Sequence, residues 1–170
     1  MNTPLEALPV IGILSTAVVC GTDVFFLTVG RLALQRASPS SGTEVMGFFH
    51  QFADARMPIW GVLAIFSNLL LALFSGSGHR GFYFTSFGML ILFLAIYNLL
   101  SKPINRLQTE AAKTGVSLDN ARELQASWDR SVMTRTLVIV ASLLAQCLAL
   151  HPHPCRASED YSRTMTGRNS

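Results

Sequence analysis

Apolar residues in this chain gather into four long blocks separated by short polar breaks. The blocks run from about Ala7 to Val29, Pro58 to Phe74, Gly81 to Leu100 and Val132 to Leu150. A bilayer core of roughly 30 Å is crossed by about 20 mostly apolar helical residues, so each block is long enough, or nearly so, to span it. The pattern predicts an all-α, four-helix transmembrane bundle over residues 1–150. The first block lacks a preceding positive stretch and exceeds the roughly 7–15 apolar residues of a signal peptide core. It is expected to stay in the protein as an anchor.

The breaks predict the connections. Residues 37–43 form a turn-rich interruption in which Ser41 or Thr43 caps the next helix. From Val45 to Phe52 the apolar residues Val45, Phe48, Phe49 and Phe52 follow i, i+3, i+4, i+7, which predicts a short interfacial helix before Pro58 opens the second span. Residues 75–79 are too short for anything but a tight link, so the second and third spans are antiparallel neighbours. The longest connection, 101–130, is expected to carry a second short helix over about 118–128, capped by Ser117 or Asp119. Beyond residue 150, proline, serine and charge dominate, and 151–170 is expected to be a disordered tail.

Composition sharpens this reading. Half of the 170 residues are apolar, 14% are charged and the formal net charge is +3. A soluble domain is typically about a quarter charged. The balance excludes a disordered chain and a nucleic-acid-binding arm, and three cysteines cannot form a paired framework. Cys20 and Cys147 are expected to be small packing residues. The first and third loops hold nine of the thirteen Lys and Arg residues, which places them on the cytoplasmic side by the positive-inside rule.

Candidate chemistry lies in the few polar residues that the apolar mass surrounds. Asp23 is a carboxylate inside a span, where charge is costly and faces the bundle interior, a cavity or a partner. Gly12, Thr16, Leu27 and Gly30 share its helical face, with Cys20 adjoining. His50 and Asp54 are i, i+4, so the carboxylate is placed to fix the imidazole tautomer and raise its basicity, as a general base requires. Asn98, Lys102, Asn105 and Arg106 are spaced to share one face, with Pro103 expected to kink the helix. Trp128, Ser131 and Arg135 share another, and Arg135, slightly inside the last span, is placed either to pair with Asp23 or to hold an anion. No metal-binding or phosphate-loop motif is present, and His151, His153 and Cys155 make only a weak metal tract.

Pro103, Asn105 and Arg106, a following helix, then Trp128 and Arg135 leading into a final apolar span, resemble the anthrone oxygenase-like family of small four-span membrane proteins. The resemblance covers about residues 8–150. Many members carry a histidine or asparagine between that Trp and Arg, where this chain has Ser131 and Thr134. The resemblance implies oxygenation of a polyketide anthrone to its quinone, with O2 as co-substrate and no organic cofactor. For that chemistry the residues of this chain offer His50, oriented by Asp54, as the expected base, with Arg135, Arg56 or Lys102 holding the oxyanion. Asn105 and Trp128 would place the polyphenol, with Asp23 and Asn98 beside it. The expected partners are an aromatic polyketide and membrane lipid, with no nucleic acid. The same residues also suit a non-enzymatic membrane scaffold, or a transporter subunit that associates with a second copy of the chain.

Overall fold

The structure, a computed structural model, describes residues 4–151 and is all-helical over them. Helices α1 (Pro4–Phe25) and α2 (Arg31–Arg36) are joined without a break by a π-helical turn at Phe26–Gly30. Helix α3 covers Pro39–Phe74. Helices α4 (Ser77–Ile96) and α5 (Lys102–Thr114) are joined by a second π turn at Tyr97–Ser101, and α6 covers Ala121–Ala149. Four helical rods result, each long and apolar enough to cross a membrane, and the chain is a multi-pass integral membrane protein. The helices α1, α3, α4 and α6 contact one another in a closed ring, as an up-down-up-down bundle with short connections does.

The rods are longer than the apolar blocks. At about 1.5 Å per residue, the 36 residues of α3 extend well beyond the hydrocarbon. The excess lies at the end holding the first and third loops, where α2, the first half of α3, α5 and the first half of α6 prolong the bundle. Two expectations are corrected here. The first-loop helix is not separate, because α3 runs continuously through Pro58. The third-loop helix begins at Ala121 with no side-chain cap and continues straight into the last span. Contacts between neighbouring rods sustain both extensions where the sequence alone suggested breaks. The tail expected to be disordered, with its His and Cys tract, lies outside the described residues.

Local chemistry explains the ends. Ser38, rather than Ser41 or Thr43, caps α3, its hydroxyl accepting from the Ser41 N–H at 3.2 Å while Pro39 fills the first turn. Arg80 closes the other end, donating from Nε to the Ala72 carbonyl at 2.8 Å and from Nη2 to that of Leu73 at 3.2 Å. Gly115, at φ 66°, ends α5 in the left-handed conformation that glycine adopts without strain.

Outward faces carry large apolar residues. Phe48, Phe49 and Phe52 are all exposed, so the apolar stripe of early α3 points away from the bundle and its polar stripe points in. Cys20 joins the core with Val19, Ala64, Leu90 and Ile139, whereas Cys147 is exposed, against expectation. Gly47 is where α3 and α5 touch: a Cβ there would overlap the Gln108 carbonyl and the Ala112 side chain. Gly47→Ala should therefore part the two helices and destabilise the fold by about 1–3 kcal/mol. A melting temperature in detergent equal to that of the unmutated protein would contradict this.

Candidate functional site

The charged residues buried within the spans, Asp23 and Arg135, meet at the extended end of the bundle. The centre of the site is Arg135 on α6. The guanidinium donates from Nε to Asp23 Oδ2 at 2.8 Å and from Nη2 to Oδ1 at 2.7 Å, a two-pronged ion pair across 112 residues of sequence. Nη1 donates to the Ser101 hydroxyl at 2.8 Å. The rings of Phe93, Tyr97 and Trp128 surround the same guanidinium at 5.7–5.9 Å. Asp23 is 2% exposed and Arg135 7%, so each charge is out of water and depends on the other. Planar pairing with aromatic faces is what arginine, unlike lysine, provides. Of the two alternatives for Arg135, the structure forms the ion pair.

From this pair hydrogen bonds spread outward. Ser101 and Ser131 hydroxyls lie 2.9 Å apart, and Ser131 donates to the Trp128 carbonyl at 2.8 Å. The Trp128 indole N–H donates to Asn105 Oδ1 at 3.0 Å, and Asn105 Nδ2 donates to Asp54 Oδ1 at 3.2 Å. Tyr97 donates its hydroxyl to the same Asp54 oxygen at 2.6 Å. Trp128, Asn105 and Asp54 therefore form one chain linking α6, α5 and α3.

His50 departs from expectation. It does not hydrogen-bond Asp54; its Nε2 lies 2.9 Å from Gln108 Oε1, and its ring is 4% exposed, tilted against Trp128 with centroids 5.3 Å apart. Gln108 Nε2 donates to Gln125 Oε1 at 3.3 Å, and Gln125 Nε2 donates to Asp129 Oδ1 at 2.9 Å. Asp129 is paired in turn with Arg31 at 3.3 Å. An ionised carboxylate only accepts, so Asp129 sets the direction of the whole relay. Gln108 must present its oxygen to His50, which places the proton on Nε2 and leaves Nδ1 with the lone pair. The tautomer is thus fixed by two glutamines and a distant carboxylate rather than by Asp54.

A groove of about 860 Å³ opens between α3 and α5, lined by residues that include Asp54, Asn98, Lys102, Arg106 and Lys113. Asp54 is half-buried and belongs to both the groove and the buried network. The expected face of Asn98, Lys102, Asn105 and Arg106 is therefore divided: Asn105, 3% exposed, turns inward to Trp128, and the others face the groove. Adjacent residues on a helix differ by about 100°, which separates Asn105 from Arg106. Arg56 does not join the site; it is exposed and lies over the Phe52 ring at 5.2 Å.

Both π turns adjoin this centre. Single π turns recur at functional sites because the extra residue re-aims the side chains on either side. The first lies just past Asp23 and carries Phe26, whose ring folds against Gly30 and meets Phe49 and Trp128 edge-on. The second carries Tyr97 and Ser101, two site residues that the sequence reading missed, along with Gln108, Gln125 and Asp129. The spacing Ser101, Asn105, Gln108 is i, i+4, i+7, a buried polar stripe that helical periodicity could have shown. A second polar layer lies deeper in the bundle. There Gln146 donates to Thr16 at 2.9 Å and Ser86 meets Ser142 at 2.8 Å. The fold and site define a four-span membrane protein with a buried, charged centre at one end. No family model matches the chain, and no curated protein or solved structure matches it significantly.

Proposed function

We propose that this protein is a membrane oxygenase of the anthrone oxygenase type, converting an electron-rich polyketide anthrone to its quinone with O2. The observation that carries the reading is Asp54. The residue lines a groove of about 860 Å³, a volume in the range of small-molecule sites, and Tyr97 and Asn105 donate to its carboxylate. The base is Asp54 rather than His50, because His50 is buried and committed to Gln108.

The chemistry follows from the substrate. An anthrone's central CH2 is acidified by two aryl rings and the carbonyl across the ring. Asp54 takes one of its protons, leaving an anthrolate whose oxygen Lys102 stabilises. The anthrolate passes one electron to O2, and the radical and superoxide recombine to a C–O bond. The peroxide anion takes the proton back from Asp54. Loss of the remaining C–H proton, with cleavage of the O–O bond, releases water and leaves the quinone. Overall, anthrone and O2 give anthraquinone and water. An apolar planar substrate partitions into lipid, which suits a site whose groove begins beside the last apolar turn of α4.

Two side assignments belong to this reading. Residues 37–38 and 115–120 face the cytoplasm, as the basic residues there favour. In a background without native cysteines, Ser38→Cys should react with an impermeant maleimide only after the cells are opened, and Gly76→Cys before; the reverse order rejects the orientation. The competing scaffold reading is favoured by the internal satisfaction of the Asp23–Arg135 pair, and predicts no chemistry at all. Purified protein in detergent, given emodin anthrone and several analogues, should raise the rate of quinone formation above that of the protein-free reaction. Equal rates throughout would reject the oxygenase reading.

A further inference from the structure

The groove that carries Asp54 also carries two cations, Arg106 and Lys113, that the proposed reaction does not use. Lys102, Arg106 and Lys113 all line it. Arg106 and Lys113 lie one and about three turns beyond Lys102 along α5, so they extend outward from the bilayer boundary at about 1.5 Å per residue. Among the described residues neither takes part in an ion pair or a hydrogen bond. Glu110 lies between them on the same helix and also lines the groove, yet pairs with neither within 4.0 Å. Elsewhere in the site the charges are matched: Arg135 by Asp23 and Arg31 by Asp129. The outer groove is thus a concave, partly apolar surface with cationic groups left available, and the only negative charge at its inner end is Asp54.

We infer that the groove takes an anionic aromatic ligand in one orientation, its neutral carbon acid at Asp54 and an ionised carboxylate outward at Arg106 and Lys113. The planar aromatic body rests on the oxygenase reading; the anionic end and the orientation rest on the charges. At the inner end Asp54 offsets Lys102, whereas the outer end keeps an excess of positive charge, Arg106 and Lys113 against Glu110, so an anion is favoured outward. Placed outward, it gains charge-assisted hydrogen bonds from a guanidinium and an ammonium. Such a ligand is amphipathic along the line of the groove, with the apolar end towards the bilayer. Within the anthrone class the preferred substrate is therefore a ring-carboxylated one, with neutral anthrones such as emodin anthrone bound more weakly and still turned over.

The test is a binding measurement, so it is separable from turnover. The full chain in phosphatidylcholine nanodiscs is titrated with anthraquinone-2-carboxylate, which has no CH2 to oxidise, and with the neutral 2-hydroxymethyl analogue. The carboxylate should bind at least about tenfold more tightly, a difference of one charge-assisted contact, and added salt should narrow the gap. Arg106→Gln with Lys113→Gln should erase the preference while the melting temperature holds. Equal affinities, or a preference that survives the double variant, would overturn the inference. Loss of the preference when phosphatidylglycerol replaces part of the lipid, together with failure of the carboxylate to compete, would overturn it in favour of a lipid headgroup site. Anion preference without any quinone formation would reject the oxygenase reading and keep the ligand class. Neutral anthrones turned over with no anion preference would do the opposite.

Discussion

Asp23→Ala should destabilise the folded protein by about 3–5 kcal/mol, because it leaves Arg135 charged and buried with no counterion. The cost is set by the site's dryness. Both side chains are nearly fully buried, and two of the three hydrogen bonds from the guanidinium end on the Asp23 carboxylate. Arg135→Lys should fail almost as badly, since an ammonium cannot reach both carboxylate oxygens and Ser101 in one plane. A paired replacement should behave differently. Asp23→Leu with Arg135→Met removes both charges together, and well-packed apolar substitutes for buried ion pairs are often neutral or stabilising. The double variant should therefore recover most of the loss of either single change. Melting temperatures of the unmutated protein, Asp23→Leu, Arg135→Met and the double variant in one detergent provide the cycle. Additive losses would show that the two side chains act independently, and the core of the structural account would fall.

Asp54→Asn should lower kcat by about 10²–10⁴-fold, the usual contribution of a positioned general base, with the fold intact. The fold survives because an asparagine oxygen still accepts from Tyr97 and Asn105, as Asp54 Oδ1 does. What it loses is the ability to take a proton. His50→Gln, by contrast, alters a residue behind the groove wall and should disturb the rate far less. Should the His50 variant abolish turnover while the Asp54 variant retains it, the base would be the imidazole, with its free Nδ1 as the reactive atom.

These two predictions rest on contacts of different visibility in the sequence. The four spans follow from uninterrupted apolar length, and the Asp23–Arg135 pair from cost: two opposite charges inside spans of one small bundle have few other ways to be satisfied. The expected pairing of His50 with Asp54 rested only on a shared face, and the structure does not form it. An i, i+4 spacing brings two side chains within reach, but inside a bundle the neighbouring helix competes for both. Here α5 supplies Gln108 to one and Asn105 to the other, while the π turn supplies Tyr97 to Asp54. That π turn left no mark on the apolar pattern, because Tyr97, Leu99 and Leu100 continue the run of α4 without interruption. The continuity of α3 through Pro58 was hidden for a related reason. Proline weakens one turn locally, and the long contacts of α3 with α1, α4 and α5 hold the rod together.

The central claim is that Asp54, in the groove lining, starts the proposed oxidation of an anthrone by O2. Oxygen uptake in an electrode chamber tests it most directly, with emodin anthrone supplied to equal amounts of folded protein, of the Asp54→Asn variant and of detergent alone. Uptake well above the detergent rate with the unmutated protein, falling to that rate with Asp54→Asn, is the predicted result. Equal uptake in all three chambers would contradict it.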